Sequence, residues 1–560
     1  MVLLLCPLRS AIAETYGTPS ASNEHATEIP KSIVELQFLR TETRAPIERA
    51  DGTPGIAILI NLNPNINAWY LLTLAWVSPS HEQHYHLESP TRERLHLLAG
   101  DTRQIRISRD SGKPCLLWNA EGGGELETAS TSGLPYAPIC ADTLYLRNPV
   151  DGGHHASLQR ITDFLRDRIW GGDAFLEKPA AWVPFPGASA QARTGPLNGA
   201  VTTERAIRSV VPPRLALILE TKNRALQPGE WYPVRGLEGV FAGIVTPEDL
   251  APEYLAREDN VNSLDSIEAS ALVYLVAFDL TRFDLHFALG SEDPRLNWSP
   301  RPPPVSRDAH LPGPDGVGSA APLVLNGMVS PADAGRTVAT FAGGFKRAQG
   351  AFRSGPLAVR NHGSHYGFLQ EGVILSKLQP DLATALVMSD GAVELRTWHV
   401  DDEARLPSVR YARQNGVPLL EFDPTRAEGV PGRWVNQWGP GNWSGSEEED
   451  LRTLRAGMCL QEFERRRYLL YGYFSTATPS AMARVFQAYH CRYAMHLDMN
   501  ALQHTYLAMY VRDKPGLLVE HLITGMEEVD RTVSGVFAPR FLAFPDDRDF
   551  FYLTRRKPFP

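Results

Sequence analysis

The 560-residue chain lacks any run of about 18 or more apolar residues, so no segment of it reads as a membrane-spanning helix. It has only five cysteines and no Cys-x-x-Cys pair, which excludes zinc ribbons and thioredoxin-like redox motifs. Positive charge is in deficit: 55 Lys and Arg stand against 64 Asp and Glu, a formal charge of −9. That balance excludes a strongly basic nucleic-acid binder. No internal repeat occurs. Glycine and proline, by contrast, are abundant at 45 and 44 residues, which favours turns and weighs against a helical solenoid or coiled coil. The length exceeds one hydrophobic core and predicts roughly two to four domains.

The N-terminus opens on an apolar run, Val2 to Pro7, with no Lys or Arg before it. Ala11-Ile12-Ala13 follows, a small-x-small pattern that signal peptidases accept. Residues 1–13 therefore read as a possible signal peptide, and the protein as exported: secreted, periplasmic or envelope-associated. Loss of Cys6 with that peptide leaves Cys115, Cys140, Cys459 and Cys491. By sequence proximity the simplest pairing is 115 with 140 and 459 with 491, the other reading being four buried reduced thiols.

Residues 14–31 are polar and aperiodic, a disordered lead-in. Strand-like runs at 32–38, 55–60 and 69–77, separated by turn clusters, predict a β-rich domain over 32–180. Within it Ser157 to Ile169 has helical spacing. Residues 181–264 read as a linker and connecting segment, and 265–560 as a second domain. In that domain Ala271–Leu280, Asp284–Leu289, Val338–Phe345 and Tyr468–Tyr473 are predicted strands. Ala383–Ser389 and Ala392–Trp398 flank Asp390-Gly391, a hairpin signal with a type I′ turn. Thr478-Pro479 starts a helix with Thr as N-cap. The fold class predicted is α+β, a mainly β N-terminal domain before an α+β domain.

Three segments hold residues suited to chemistry. Gly343-Gly344-Phe345 ends a strand, where glycines bring backbone N–H groups close to a ligand oxygen. Arg455 stands at the start of another strand, with a guanidinium suited to phosphate or carboxylate. Asp498 closes an apolar run, with Asn500, Gln503 and His504 behind it, as a carboxylate at a strand terminus placed for catalysis. A turn-capping Asp and a structural Arg are the alternatives.

The order of these motifs resembles the phosphodiester glycosidase family over roughly residues 265–545, including a hydrophobic strand that ends in Asp279. Gly343, Gly344, Phe345, Arg455 and Asp498 match that family's pattern. Ala342 stands where the family usually has Asn, and Met499-Asn500-Ala501-Leu502-Gln503 replaces its Gly-Gly-Gly-Ser-Ser. The resemblance implies a hydrolase for a sugar-1-phosphodiester of a cell-surface or secreted glycan. Gly343, Gly344, Phe345 and Asn500 would bind substrate. Arg455 would neutralise the phosphate, Asp498 would act as base or nucleophile, and His504 would protonate the leaving oxygen.

Two other function classes remain open. His362, His365, Asp498 and His504 offer ligands for a divalent metal, although their spacing fits no standard motif. Trp434, Trp438 and Trp443, in a Gly- and Asn-rich segment, offer stacking surfaces for a glycan-binding module without catalysis.

Overall fold

The computed structural model of the chain describes residues 29–77, 81–98, 100–150, 161, 164–165, 175–176, 195–202, 214–221, 225–256, 259–353, 355–360, 366–437, 452–513, 516–533 and 535–557. The expected leader 1–13, most of the lead-in 14–31, His362, His365, Trp438 and Trp443 lie outside the described residues. Of the helix expected over 157–169, Ile161, Phe164 and Leu165 are described and helical.

Strand makes up 41% of the structure and helix 14%, so the chain is mostly β where α+β was expected. The physical reason is that sheets supply most of the apolar surface. Among the described residues the longest α-helix is Pro479–Ala488, and most of the others span only a turn or so.

The chain divides into two compact units. One comprises Met1–Val150, Ala320–Val324 and Glu371–Val373, and the other holds the remaining residues. In the first unit a six-stranded antiparallel sheet runs in the order Thr41–Glu48, Pro54–Asn61, Trp69–Trp76, His81–Glu88, Leu144–Arg147, Tyr136–Ile139. Leu95–Leu98, Gln104–Arg109 and Cys115–Asn119 form a second, smaller sheet. Leu59, Leu72, Leu74, Leu97, Ile107 and Leu117 share one core. Residues 32–38, expected as a strand, instead form turns, with the N–H of Leu36 on Ser32 O. Glu35 explains this, because its carboxylate accepts the N–H groups of Lys31 and Ser32 and draws the chain into a turn.

Among the described residues the second unit holds three larger sheets and the two-stranded pair Arg531–Val533/Val536–Ala538. The largest has eight antiparallel strands in the order Tyr232–Pro233, Val240–Val245, Val273–Asp279, Arg466–Ala477, Thr453–Phe463, Cys491–Met499, Pro418–Asp423, Glu428–Pro431. Its first two strands correct the reading of 181–264 as a connecting segment. Val240–Val245 is wholly buried and pairs along its length with Val273–Asp279. A strand covered on both faces shows no alternation, and six apolar residues between turns are easily read as loop.

Helix Pro479–Ala488 covers this sheet, capped by the Thr478 side chain as expected. Close approach is possible because Gly457 faces it: a Cβ there would lie 2.8 Å from the Met482 terminal methyl. The second sheet runs Phe175–Leu176, Gly516–His521, Leu507–Asp513, Thr337–Ala342, Phe550–Arg555, Phe283–Ala288. The third contains Phe368–Gln370, Val409–Gln414 and the hairpin Ala383–Met388/Val393–Thr397. That hairpin closes through a three-residue loop, not the expected two-residue turn. Gly391 N–H donates to Met388 O, Met388 N–H to Ala392 O, and Gly391 alone takes a positive φ of 85°.

Both expected cysteine pairings are present as disulfides, Cys115–Cys140 and Cys459–Cys491. Among the described residues no helix is long and apolar enough to cross a membrane.

Candidate functional site

Strand register brings several chain segments of the second unit to one place. Ala342 and Ala288 both pair with Phe550, so the C-terminal ends of their strands meet the N-terminal end of Phe550–Arg555. Residues 343–346, 289–293 and 546–549 therefore share one sheet edge. Tyr506 O accepts the Ala342 N–H, which brings residues 504–506 to the same edge. Asp498 arrives from the eight-stranded sheet and Arg413 to Asn415 from the third. Asn415 links them, its side-chain amide donating to His496 O and Leu497 O at 2.7 and 2.8 Å.

Asp498 is 4% exposed. Its Oδ1 accepts the Met499 N–H at 2.8 Å, and its Oδ2 takes Arg548 Nη1 at 2.5 Å. The other arm of Arg548 donates to His504 Nε2 at 2.7 Å. Burial raises the Asp498 pKa to about 7, against the pull of the Arg548 charge. A carboxyl poised near neutrality exchanges protons readily at physiological pH.

His504 is held in one tautomer. Its Nδ1 lies 2.7 Å from Met499 O, which can only accept, so the proton sits on Nδ1 and Nε2 accepts from Arg548. Desolvation and then the Arg548 charge push its pKa down to about 4. With Nε2 unprotonated and Nδ1–H committed, His504 has no proton to give in this arrangement. It orients Arg548, and the expected acid role does not follow from its surroundings.

Arg455 sits elsewhere than expected. It is fully buried within strand Thr453–Phe463, donating to Ala477 O at 2.8 Å and to Met499 Sδ at 3.0 Å. Desolvation lowers its pKa to about 9. Asp498 takes its ion pair from Arg548 instead. Asn500 is exposed, with φ 78°, and accepts the Thr453 hydroxyl at 2.9 Å.

The glycine pair also has a different use. The Gly343 N–H is spent on Asp549 O at 2.9 Å. A Cβ on Gly343 would lie 2.4 Å from the Asp549 carboxylate, and one on Gly344 would lie 2.7 Å from the Arg413 guanidinium. The glycines make room for this buried ion pair, whose Nε–Oδ2 distance is 2.7 Å. Phe345 stacks on His496 with centroids 5.0 Å apart, and its carbonyl accepts from Arg413 at 2.8 Å.

Sequence reading missed Asp293, Arg413, Asn415, Arg548 and Asp549. A signal was present in Pro545-Asp546-Asp547-Arg548-Asp549, a charged run placed directly before an apolar strand. Lys346, the residue after this glycine segment, pairs with Asp547 at 2.5 Å and lies 3.7 Å from Glu292, forming the more exposed rim.

Of the four residues considered for a metal, His362 and His365 lie outside the described residues. Asp498 and His504 are bridged by the Arg548 guanidinium, which takes the position a cation would need. Among the described residues the one metal-competent trio is Cys115, Glu125 and Cys140, whose sulfurs are joined in the disulfide.

No protein-family model and no curated protein matches the chain. Among solved structures, it is similar to the catalytic domain of zebrafish N-acetylglucosamine-1-phosphodiester alpha-N-acetylglucosaminidase, auto-inhibited by its pro-peptide. That likeness covers 58% of this chain and 85% of the other, at 10% identity and a TM-score of 0.31. A putative exported protein from Burkholderia pseudomallei is similar over 51% of this chain and 74% of its own, at 10% identity and a TM-score of 0.19. Both are weak likenesses of fold, and neither assigns a residue or a substrate.

Proposed function

We propose that the second unit carries a hydrolytic site for a glycosidic phosphodiester, with Asp498 as its base. The observation that carries this reading is the Asp498 carboxyl itself. It is delivered by a strand end, aimed by the Met499 N–H, held by Arg548, and brought to about 7 by burial. Arg548 and Lys346 supply the positive charge that a phosphodiester needs, the role first expected of Arg455. The two disulfides fit an oxidising compartment, which accords with a secreted or cell-surface glycan as substrate.

The test is Asp498→Asn in the full chain, assayed on sugar-1-phosphodiesters. Loss of a general base lowers turnover by about 10²–10⁴-fold, with the circular dichroism spectrum unchanged. Unchanged turnover rejects the assignment.

A second reading is favoured by the enclosure of Asp498, which is nearly inaccessible and already ion-paired. On that reading the unit binds a glycan without cleaving it. Polysaccharide binding that persists in Asp498→Ala, from a protein that turns over no sugar phosphodiester, supports it.

A further inference from the structure

We infer that Asp293 is the general acid of this site, giving the proton that the leaving phosphate oxygen takes as the bond to the anomeric carbon breaks. The inference rests on the hydrolytic reading of Asp498.

Asp293 lies in the loop after strand Phe283–Ala288, and that loop rides on the segment that carries Arg548. Ser291 N–H donates to Asp546 O at 2.9 Å, and Asp293 N–H donates to Gly290 O at 3.2 Å. Contact at Gly290 is so close that a Cβ there would lie 2.3 Å from Asp547 O. The side chain is 3% exposed, yet neither carboxyl oxygen has a hydrogen-bond partner. Buried polar atoms are rarely left so, and an unfilled carboxyl in a charged cluster is a place where a ligand, an ion or a water completes the bonding. Arg347, buried as deeply and within reach of the Asp293 charge, holds Asp315 through Nη2 at 2.6 Å and leaves Nε and Nη1 unpartnered. Donors and acceptors thus stand unfilled together, as a hydroxylated ligand requires.

Asp293 and Asp498 feel the same three charges, Asp549, Arg413 and Arg548. Their immediate bonding separates their roles. Asp498 accepts two donors, one of them cationic, which favours its ionised form. Asp293 accepts none, so nothing bonded to it supports the charge, which favours its protonated form. Two carboxyls divided in this way supply one base and one acid.

In the step, water adds to the anomeric carbon and gives its proton to the Asp498 carboxylate. The bond from that carbon to the bridging oxygen breaks, the electron pair stays on the oxygen, and Asp293 protonates it. The products are a free sugar and a phosphate monoester. Solvent returns the proton from Asp498 to Asp293.

The test uses the full chain with two kinds of probe. One is the methyl phosphodiesters of glucose, mannose and N-acetylglucosamine 1-phosphates, in both anomers. The other is the corresponding glycosyl fluorides, whose leaving group needs no proton. Asp293→Asn is expected to lose about 10²–10⁴-fold on the phosphodiester and nothing on the fluoride, while Asp498→Asn loses both. A melting temperature at or above that of the wild type accompanies this result, since the variant removes a costly buried acid. Equal losses on both probes, with a lowered melting temperature, make Asp293 structural and overturn the inference. Full phosphodiester activity in Asp293→Asn overturns it while the hydrolytic reading stands. A wild-type protein inactive on both probes removes the hydrolytic reading, and the inference falls with it.

Discussion

Arg147 in the first unit and Asp293 in the second are both buried charged side chains, but their surroundings differ in kind. Arg147 is well partnered: Nη1 meets Glu88 Oε2 at 2.5 Å, Nε donates to Val324 O at 3.1 Å, and the guanidinium lies over the Trp69 and Tyr136 rings at 4.4 and 5.0 Å. Asp293 has charge around it and no bond on either oxygen. A buried charge met by an opposite charge, a carbonyl and two rings holds strands in register. One left open, among others whose charges are imbalanced, is kept at a cost in stability, and such costs collect at functional sites.

That contrast can be broken at its strongest point first. Arg147→Met removes the arginine that meets the buried Glu88 carboxylate and is expected to cost about 3–5 kcal/mol. Urea unfolding measures the loss, and hydrogen exchange places it in strands Trp69–Trp76 and His81–Glu88. A loss under about 1 kcal/mol would mean that Arg147 is no more structural than an exposed arginine.

Next in size are the disulfides. Closing loops of 25 and 32 residues, Cys115–Cys140 and Cys459–Cys491 are each expected to contribute about 3.5 kcal/mol by constraining the unfolded chain. Paired Cys→Ser variants, unfolded in urea, test each one separately. Equal losses in both units would show that the disulfides stabilise by loop length and not by the chemistry near them.

An effect of opposite sign is expected at the open carboxyl. The folded pKa of Asp293 is raised to about 7, first by burial and then by Asp549, so the native state holds this proton more tightly than the unfolded chain does. Its favourable contribution is therefore complete below about pH 4 and lost as the pH rises through about 7. Asp293→Asn should match the wild type at pH 4 and exceed it by about 4 kcal/mol at pH 8. Denaturant midpoints at the two pH values decide it. A variant weaker at both would place Asp293 with Arg147 as a structural group.

The smallest effect serves as the control. Arg44 and Glu42 pair at 2.7 Å on the surface of the first unit, with both side chains well exposed. Arg44→Ala should change stability by under about 0.5 kcal/mol, and by less still in high salt.

Much of the β architecture was legible from residues alone. Strands Pro54–Asn61, Trp69–Trp76, Val273–Asp279 and Cys491–Met499 announce themselves as apolar runs bounded by turn residues. Thr478-Pro479 marks a helix start because capping is local chemistry between a side chain and the next three residues. Val240–Val245 was missed because a strand buried on both faces has no alternation to read. Residues 32–38 misled in the other direction, since their apolar pattern suits a strand while Glu35 turns the chain locally.

At the site the limits are of another kind. Asp498 was legible as a carboxylate at a strand end, and its ion pair was not. Arg548 lies 50 residues away and reaches it only because two sheets bring their strand ends together. Arg455, one strand over in the same sheet, faces the interior instead. Local order therefore determined the strands, the capped helix, the cysteine pairs closest in sequence and the place of Asp498. Tertiary structure alone decided which arginine meets that carboxylate, what the glycine pair makes room for, and that Asp293 stands open. Hydrogen bonds within a turn are written in neighbouring residues, whereas burial and charge pairing depend on which distant strand ends the sheets make adjacent.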